Sequence, residues 1–365
     1  MAEHFFMTGG TGMVGAQLVP RLLKAFPGST VTLLVRASSD EAANGRLEEM
    51  RTRLRMEIPD ARERVRGVRG DVLEEECGLG HETLDRLIGE TTYIVHGAAT
   101  IRFDHPIDEA RLINCGGTRR MLSIAERCTE RGRLKRFVYI GTSSVSGRRA
   151  GRITEEELET GQRFFNTYEQ SKCESERIVR ESFTRIPAVV FRPSIIIGDS
   201  RTGATSTFNV IYIPLRLVHR GLLSYVPGTP EVRLDLVPVD WVDDVMVYIM
   251  GLEESNGKVC HVTAGPERAA PLGEVLMGAT AYFDRHAPLG APRRLEIVSQ
   301  EEFERRRSLS RGREEALLAQ LDTLLPYVGI DRLFESRNTD ALLAGSGIVF
   351  PRFGAYAETI YAYCL

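Results

Sequence analysis

Short apolar runs alternate with longer stretches whose apolar residues recur at helical spacing. The runs fall at 4–7, 31–35, 65–68, 93–96, 137–140 and 188–191. The helical stretches lie around 13–26, 40–57, 81–89, 107–131 and 165–185. Strand, helix and strand repeated in this way predict a parallel sheet covered on both faces. Right-handed crossovers then nearly force the topology, and ligands are expected at the carboxyl ends of the strands, near the switch point.

The rhythm changes near residue 195. An apolar segment at 208–223 leads into LDLVPVDWVDDVMVYIM, which reads as strand, turn and helix, and KVCHVTA is a further strand. The remainder is helix-rich, broken by Pro271, Pro288, Pro292, Pro326 and Pro351. The expected division is a cofactor domain of residues 1–194 plus 231–265 and a smaller, helix-rich substrate lobe of 195–230 plus 266–365. The Arg/Glu-rich stretch 299–315 reads either as a mobile helix pair or as one rigid solvated helix. Within it, Arg305, Arg306 and Arg307 fit a solvated face better than a binding patch.

Composition narrows the class. A chain of 365 residues with net charge −3 has no global pull toward nucleic acid or anionic membrane. No apolar run is long enough to span a bilayer, since Arg216, His219 and Arg220 interrupt the most apolar stretch. Six scattered cysteines without a Cys-x-x-Cys pair suit a reducing cytoplasm, and they give no zinc spacing with histidine. With the first strand so close to Met1, no signal peptide is expected, and the expected location is cytoplasmic.

The first strand runs into TGGTGMVG, residues 8–15, and a helix follows. Gly9 suits the tight turn, Gly12 a close approach of backbone to pyrophosphate, and Gly15 close packing of helix on strand. The helix amino terminus faces the negative charge. This is a dinucleotide-binding, Rossmann-type turn, expected to involve Thr8, Thr11, Met13 and Val14 as well. The second strand, VTLLVR, ends at Arg36, where an acid would hold a ribose 2′-hydroxyl; an arginine suits a 2′-phosphate. NADPH is therefore expected rather than NADH. Arg46 is either a second phosphate contact or a solvated helix residue.

NTYEQSKCESERIV places Tyr168 and Lys172 at i and i+4, on one helix face. A phenol titrating near 10 is a poor acid–base group at neutral pH, and an adjacent ammonium lowers that value. Tyr168 is then the acid that gives a proton to a carbonyl oxygen as hydride reaches carbon. Upstream, RFVYIGTSSVSG sets hydroxyl residues at the end of a strand. Thr142 is expected to hold the substrate oxygen; Ser143 and Ser144 either share that task or bond the loop.

These motifs resemble the extended short-chain dehydrogenase/reductases. TGGTGMVG, GDV at 70–72, HGAA at 96–99, NCGGT at 114–118, the Thr/Ser turn and Tyr168-x-x-x-Lys172 occur in the family's order across nearly the whole chain. The resemblance implies a doubly wound parallel α/β fold, Asp71 and Val72 beside the adenine, and Ala98 and Ala99 along the cofactor. It implies catalytic roles for Thr142, Tyr168 and Lys172, with Lys172 also on the nicotinamide ribose. Pro193, Ser194 and Ile195 complete the expected cofactor set, and Thr100 lies on the substrate side. Asn114 matches a position that supports a proton-relay water in some relatives, or else is structural.

HGAATIRFD, FRPSIIIGDSRTG and LDLVPVDWVDD look like fatty acyl-CoA reductases and the terminal thioester reductase domains of polyketide and peptide synthetases, as does the tail from 324 to 360. That branch implies an acyl thioester substrate on coenzyme A or a separate carrier protein, reduced to aldehyde or onward to alcohol. Segment 208–228 offers either an apolar wall for the acyl chain or simply the lobe's core helix. The rivals are a ketone or aldehyde reductase with the same residues, a nucleotide-sugar epimerase or dehydratase, and a cofactor sensor without chemistry. The epimerases usually use NAD, against Arg36, and the sensors typically lack the Tyr/Lys pair. His96 and His105 have no third ligand at useful spacing, so no metal is expected.

Overall fold

The first apolar run becomes β1 (His4–Thr8), buried at every position. Phe5 and Met7 enter one apolar core and Phe6 the other, so the period-two side chains divide between the two faces of a sheet. Both faces are covered by helices, which is why the strand reads as an unbroken apolar run. The computed structural model describes residues 2–205, 211–288, 292–322 and 325–365, apart from the side chains at 313 and 326.

The other strands of the sheet are β2 (Thr30–Val35), β3 (Val65–Arg69), β4 (Tyr93–His96), β5 (Arg136–Ile140), β6 (Ala188–Pro193) and β7 (Lys258–Val262). All pair in parallel, in the order β7-β6-β5-β4-β1-β2-β3. The direction of winding reverses between β1 and β4, which is where an open α/β sheet binds its ligand. The expected strands hold to within two residues at each end.

Helix α1 (Met13–Ala25) follows β1, and α2 (Asp40–Leu54) follows β2. Ser39 caps α2 by accepting from the Ala42 amide at 3.2 Å. This helix stops short of residue 57 because Ile58 precedes Pro59, and a residue before proline avoids helical backbone. Helix α3 (His81–Glu90) leads to β4. The expected continuous helix over 107–131 is instead Ile107–Arg111, a π turn at Leu112–Gly116, and α4 (Gly117–Glu130). The paired glycines 116 and 117 are poor helix formers, and one wide turn there carries Asn114 inward. Helix α5 (Thr167–Glu181) is capped by Asn166, whose Oδ1 accepts from the Glu169 amide at 3.0 Å.

A third apolar core gathers Tyr212, Leu215 and Val218 of α6 (Tyr212–His219) with Val275 and Phe283 of the helix Leu272–His286, and with Phe303 and Ile360. Residues 206–210, part of the apolar segment read from the sequence, lie outside the described residues. The LVPVDW segment forms the strand Leu236–Pro238, parallel to Ile195–Ile197, and then α7 (Val239–Met250), which lies against α1. The 299–315 stretch is two helices, Gln300–Leu309 and Arg313–Ala319, broken at Gly312 with φ +61°. Arg305 and Arg306 pair with Glu302, and Arg307 with Asp322, as a charged outer face. Further on, Arg332–Phe334 pairs in parallel with Gly151–Ile153 as a separate two-stranded sheet, and Phe350 meets Trp241 of α7 edge-on at 4.9 Å.

Candidate active site

The glycine turn is shaped by what a side chain would strike. Gly9 has φ +74°, and a Cβ there would lie 2.6 Å from the Gly97 carbonyl carbon at the end of β4. At Gly15 a Cβ would lie 2.3 Å from the Gly9 oxygen, so α1 can pack this closely only on glycine. Gly12 differs: its Cβ would meet only the Gly9 oxygen, at 3.2 Å, and the rest of its surroundings are open. Gly12 caps α1 without a side-chain hydrogen bond, and the first turn carries no acid. The helix therefore offers unpaired N–H groups and its positive end toward that open side, which fits a pyrophosphate. Met13 and Val14 are half-buried in this first turn.

Thr8 is buried beneath the turn. Its Oγ1 meets His96 Nδ1 at 2.8 Å and accepts from the Ala98 amide at 3.2 Å. His96 Nε2 meets Thr118 Oγ1 at 3.2 Å, and burial first, then the Lys172 charge, hold this imidazole down to about 3. A neutral histidine thus joins β1, β4 and α4 below the Ala98–Ala99 loop. Its burial was not evident from the sequence.

A cleft of about 320 Å³ opens between the glycine turn and α2, with Thr11, Arg46, Glu49 and Arg53 among its walls. Arg36 is exposed at the end of β2, and its side chain has no hydrogen-bond or ion-pair partner among the described residues. Arg46 donates to the Arg36 carbonyl oxygen at 2.7 Å, so it is anchored at the strand end rather than loose on its helix. The nearby acid, Asp40, pairs with Arg69 at 2.8 Å. Arg53, absent from the sequence reading, joins the group. Asp71 turns the chain after β3, its Oδ1 accepting from the Leu73 amide at 3.0 Å, while Val72 packs beneath Gly117.

At the carboxyl end of β5, Thr142 caps a short 3-10 turn over Ser143–Ser146, its Oγ1 accepting from the Ser144 amide at 3.2 Å. Ser143 is buried in that turn and Ser144 half-buried. The Thr142 side chain lies close to the Tyr168 phenol. Burial pushes the Tyr168 phenol up to about 12; the nearby Thr142 hydroxyl draws it down, and the Glu169 charge raises it. Lys172 is buried on the same face of α5. Its Nζ donates to the Ile140 carbonyl oxygen at 2.9 Å and stands 4.2 Å from the centre of the Tyr139 ring. Burial lowers Lys172 to about 7, with Glu176 and Cys115 favouring its charged form. The expected direct lowering of Tyr168 by Lys172 is thus not what the chain alone produces. The ammonium is drawn to a strand carbonyl, and desolvation outweighs the rest.

Glu176 was missed, although its i+4 spacing from Lys172 is visible in KCESE. It forms a buried ion pair with Arg192, Oε2 accepting from Nε at 2.8 Å. Asn114 bridges the site: Oδ1 accepts from the Thr100 amide at 2.8 Å, and Nδ2 donates to Ser171 Oγ at 2.9 Å. On the far side, Ser194 donates to Asp235 at 2.5 Å, and Asp235 also accepts from the Ala264 amide at 2.7 Å, fixing the Pro193–Ser194–Ile195 segment. Burial raises Asp235 to about 6. Among the described residues, no three His, Cys, Asp or Glu side chains group as metal ligands. No helix among them is long and apolar enough to cross a membrane. All six cysteines are buried and free.

The sheet order, the glycine turn at the switch point and the Tyr168–Lys172 helix define an oxidoreductase of the extended short-chain dehydrogenase/reductase type. More narrowly, the chain belongs to the nicotinamide-dinucleotide-binding family described as male sterility protein, whose model matches residues 7–246. It is 26% identical to human fatty acyl-CoA reductase 1 over 78% of its own length and 62% of that protein's. It is 27% identical to a nonribosomal peptide synthetase of Aspergillus flavus, over 70% of this chain and 26% of that one. The chain thus spans less than two thirds of either relative. The crystal structure of the terminal R domain from the myxalamid PKS-NRPS biosynthetic pathway superimposes with a TM-score of 0.82 at 26% identity, covering 99% of this chain and 90% of that one.

Proposed function

We propose that this oxidoreductase reduces acyl thioesters with NADPH. The observation that carries the reading is Tyr168 beside Thr142 at the carboxyl edge of the sheet, with Lys172 buried one turn further along the same helix face, in a chain similar to fatty acyl-CoA reductases and synthetase reductase domains. Gly9, Gly12, Thr11, Met13 and Val14 take the pyrophosphate, Asp71 and Val72 flank the adenine, and Ala98, Ala99 and the 193–195 segment line the rest. Arg36, with Arg46 bonded to its carbonyl oxygen, takes the 2′-phosphate, a task that suits a guanidinium fork, and Arg53 borders the same cleft as Arg46. Residues 1–194 plus 231–265 hold the cofactor, and 195–230 plus 266–365 hold the substrate.

A bound nicotinamide supplies the hydride. Thr142 and Tyr168 hold the thioester oxygen, with Thr100, Ser143 and Ser144 on the substrate side. Tyr168 gives that oxygen its proton as the carbonyl carbon gains hydride, leaving a neutral hemithioacetal. The Tyr168 phenolate then takes the hydroxyl proton back, the C=O bond re-forms, the C–S bond breaks, and the thiolate leaves and is protonated. One hydride and one proton have converted thioester to aldehyde and thiol. The Lys172 ammonium stabilises the transient phenolate, and Asn114 holds the Thr100 loop against α5. A second round by the same residues gives the alcohol. The thiol partner is coenzyme A or the phosphopantetheine arm of a carrier protein.

The test is NADPH oxidation with a panel of acyl-CoA thioesters against matched free aldehydes and ketones, with Tyr168→Phe as the blank. Thioester-dependent oxidation with aldehyde or alcohol recovered is expected. Activity on free carbonyls alone would place the protein among the ketone and aldehyde reductases.

A further inference from the structure

A cavity of about 60 Å³ lies within the third apolar core, at its border with the segment that follows β6. Among the described residues its walls include Ile195, Leu236, Leu272, Leu276, Val328 and one phenol, Tyr327, and no polar surface faces it. Its volume is about four times the ~15 Å³ needed to seat one water. Water there finds no partner, because the Tyr327 hydroxyl is already engaged. It donates to Glu169 Oε1 at 2.8 Å and accepts from Asn166 Nδ2 at 2.9 Å. A dry cavity of this kind favours an apolar guest.

One of its walls, Tyr327, leads to the catalytic tyrosine, and another, Ile195, to the expected cofactor segment. Ile195 follows Ser194, which Asp235 fixes at the end of β6. Tyr327 rests on Asn166 and Glu169, the residues that start α5 on either side of Tyr168. Its ring lies 6.2 Å from that of Phe103, which in turn lies 5.7 Å from the ring of Tyr168. Glu169 is itself buried and accepts from the Phe165 amide at 2.9 Å, so this post is fixed from three sides.

We infer that this cavity receives the aliphatic part of the acyl substrate, and that Tyr327, pinned by Glu169 and Asn166, is the gatepost between it and Tyr168. The inference rests on the thioester reading and names its substrate class: a plain alkyl chain with room for about four methylene-sized groups beyond the gate.

The experiment is kcat/KM for saturated acyl-CoA thioesters of increasing chain length, with Leu276→Phe filling the cavity. The whole chain should gain roughly fourfold per methylene until the cavity is full. Leu276→Phe should lose tenfold or more on long chains and stay within threefold on butyryl-CoA. Leu272→Phe repeats the test should the first variant fail to fold. Equal losses at every length, or none, would overturn the assignment. Displacement of cis-parinaric acid by decanoate reads the cavity without turnover. Displacement that Leu276→Phe weakens tenfold, with no thioester reduced, would sink the thioester reading and keep the cavity as an alkyl site. Thioester reduction whose length dependence Leu276→Phe does not shift would do the reverse.

Discussion

Lys172 donates to the carbonyl oxygen of Ile140 at 2.9 Å, and Tyr139 of the same strand presents its ring 4.2 Å from the same nitrogen. The ammonium is thus tethered to the end of β5, the strand that also presents Thr142. That tether, with the Tyr139 ring face and the Glu176 charge, offsets part of the hydration the buried cation loses.

This burial should cost stability, and Lys172→Met is expected to melt at a higher temperature than the parent at pH 6. In the fold Lys172 is held down to about 7, against about 10.4 in an unfolded chain. Between those values the unfolded chain binds more protons, so stability rises with pH across that window, and the deficit is complete below it. The gain from methionine is on the order of 1–3 kcal/mol after the lost Ile140 bond is deducted, and it should fade toward pH 10. Melting curves at pH 6 and 9.5 check this. A variant less stable at both would mean that the Ile140 tether outweighs the burial.

The same value predicts the rate profile. If the ammonium supports the phenolate, kcat/KM should fall as pH rises through about 7, while Tyr168, at about 12, stays protonated throughout. Tyr168→Phe should lower kcat by roughly 100- to 10,000-fold with NADPH affinity within threefold of the parent. Stopped-flow turnover and cofactor fluorescence titration give the two numbers. A parallel loss of binding would take Tyr168 out of the proton-donor role.

Much of this was legible in the chain. Apolar runs such as Phe5–Phe6–Met7 show strands directly, because a doubly covered strand leaves no polar positions to mask the pattern. The four-residue spacing of Tyr168 and Lys172 fixes a shared face. It does not fix depth, so the turn of Lys172 toward Ile140 and its buried neighbour Glu176 could not be read. The π turn at Asn114 hides because its glycines merely weaken a helix without marking how it widens. Contacts between distant segments were the least visible. Glu155, for example, accepts from the His261 amide at 2.8 Å and from Thr339 Oγ1 at 3.0 Å, tying the late Arg337–Leu343 helix to the sheet edge, and no local pattern announces that.

The two glycines of the turn should separate folding from binding. Gly15→Ala places a Cβ 2.3 Å from the Gly9 oxygen, and rigid backbone must move. A loss of about 1–3 kcal/mol is expected, the usual cost of overpacking. Gly12→Val meets little of the protein, so its melting temperature should stay near the parent's while cofactor affinity falls at least tenfold. Thermal melts with and without NADPH distinguish the pair. Unchanged affinity in Gly12→Val would remove the pyrophosphate from this turn.

Cofactor choice should follow the cations at the end of β2. Arg36 is unpaired among the described residues, and the acid nearest it in the chain, Asp40, is occupied by Arg69 at 2.8 Å. A charge-assisted bond to phosphate is worth about 1.5–3 kcal/mol. Arg36→Ala should therefore raise the Kd for NADPH by roughly 10- to 150-fold and leave NADH within threefold. Arg53→Ala should do the same to a smaller degree, because that side chain borders the cleft from α2 rather than from the strand end. Arg46→Ala should weaken both cofactors modestly, since its bond to the Arg36 carbonyl positions the backbone and is indifferent to the phosphate. Equilibrium titration of each variant with both cofactors provides the check. Equal losses for NADPH and NADH in Arg36→Ala would move the 2′-phosphate away from this strand end.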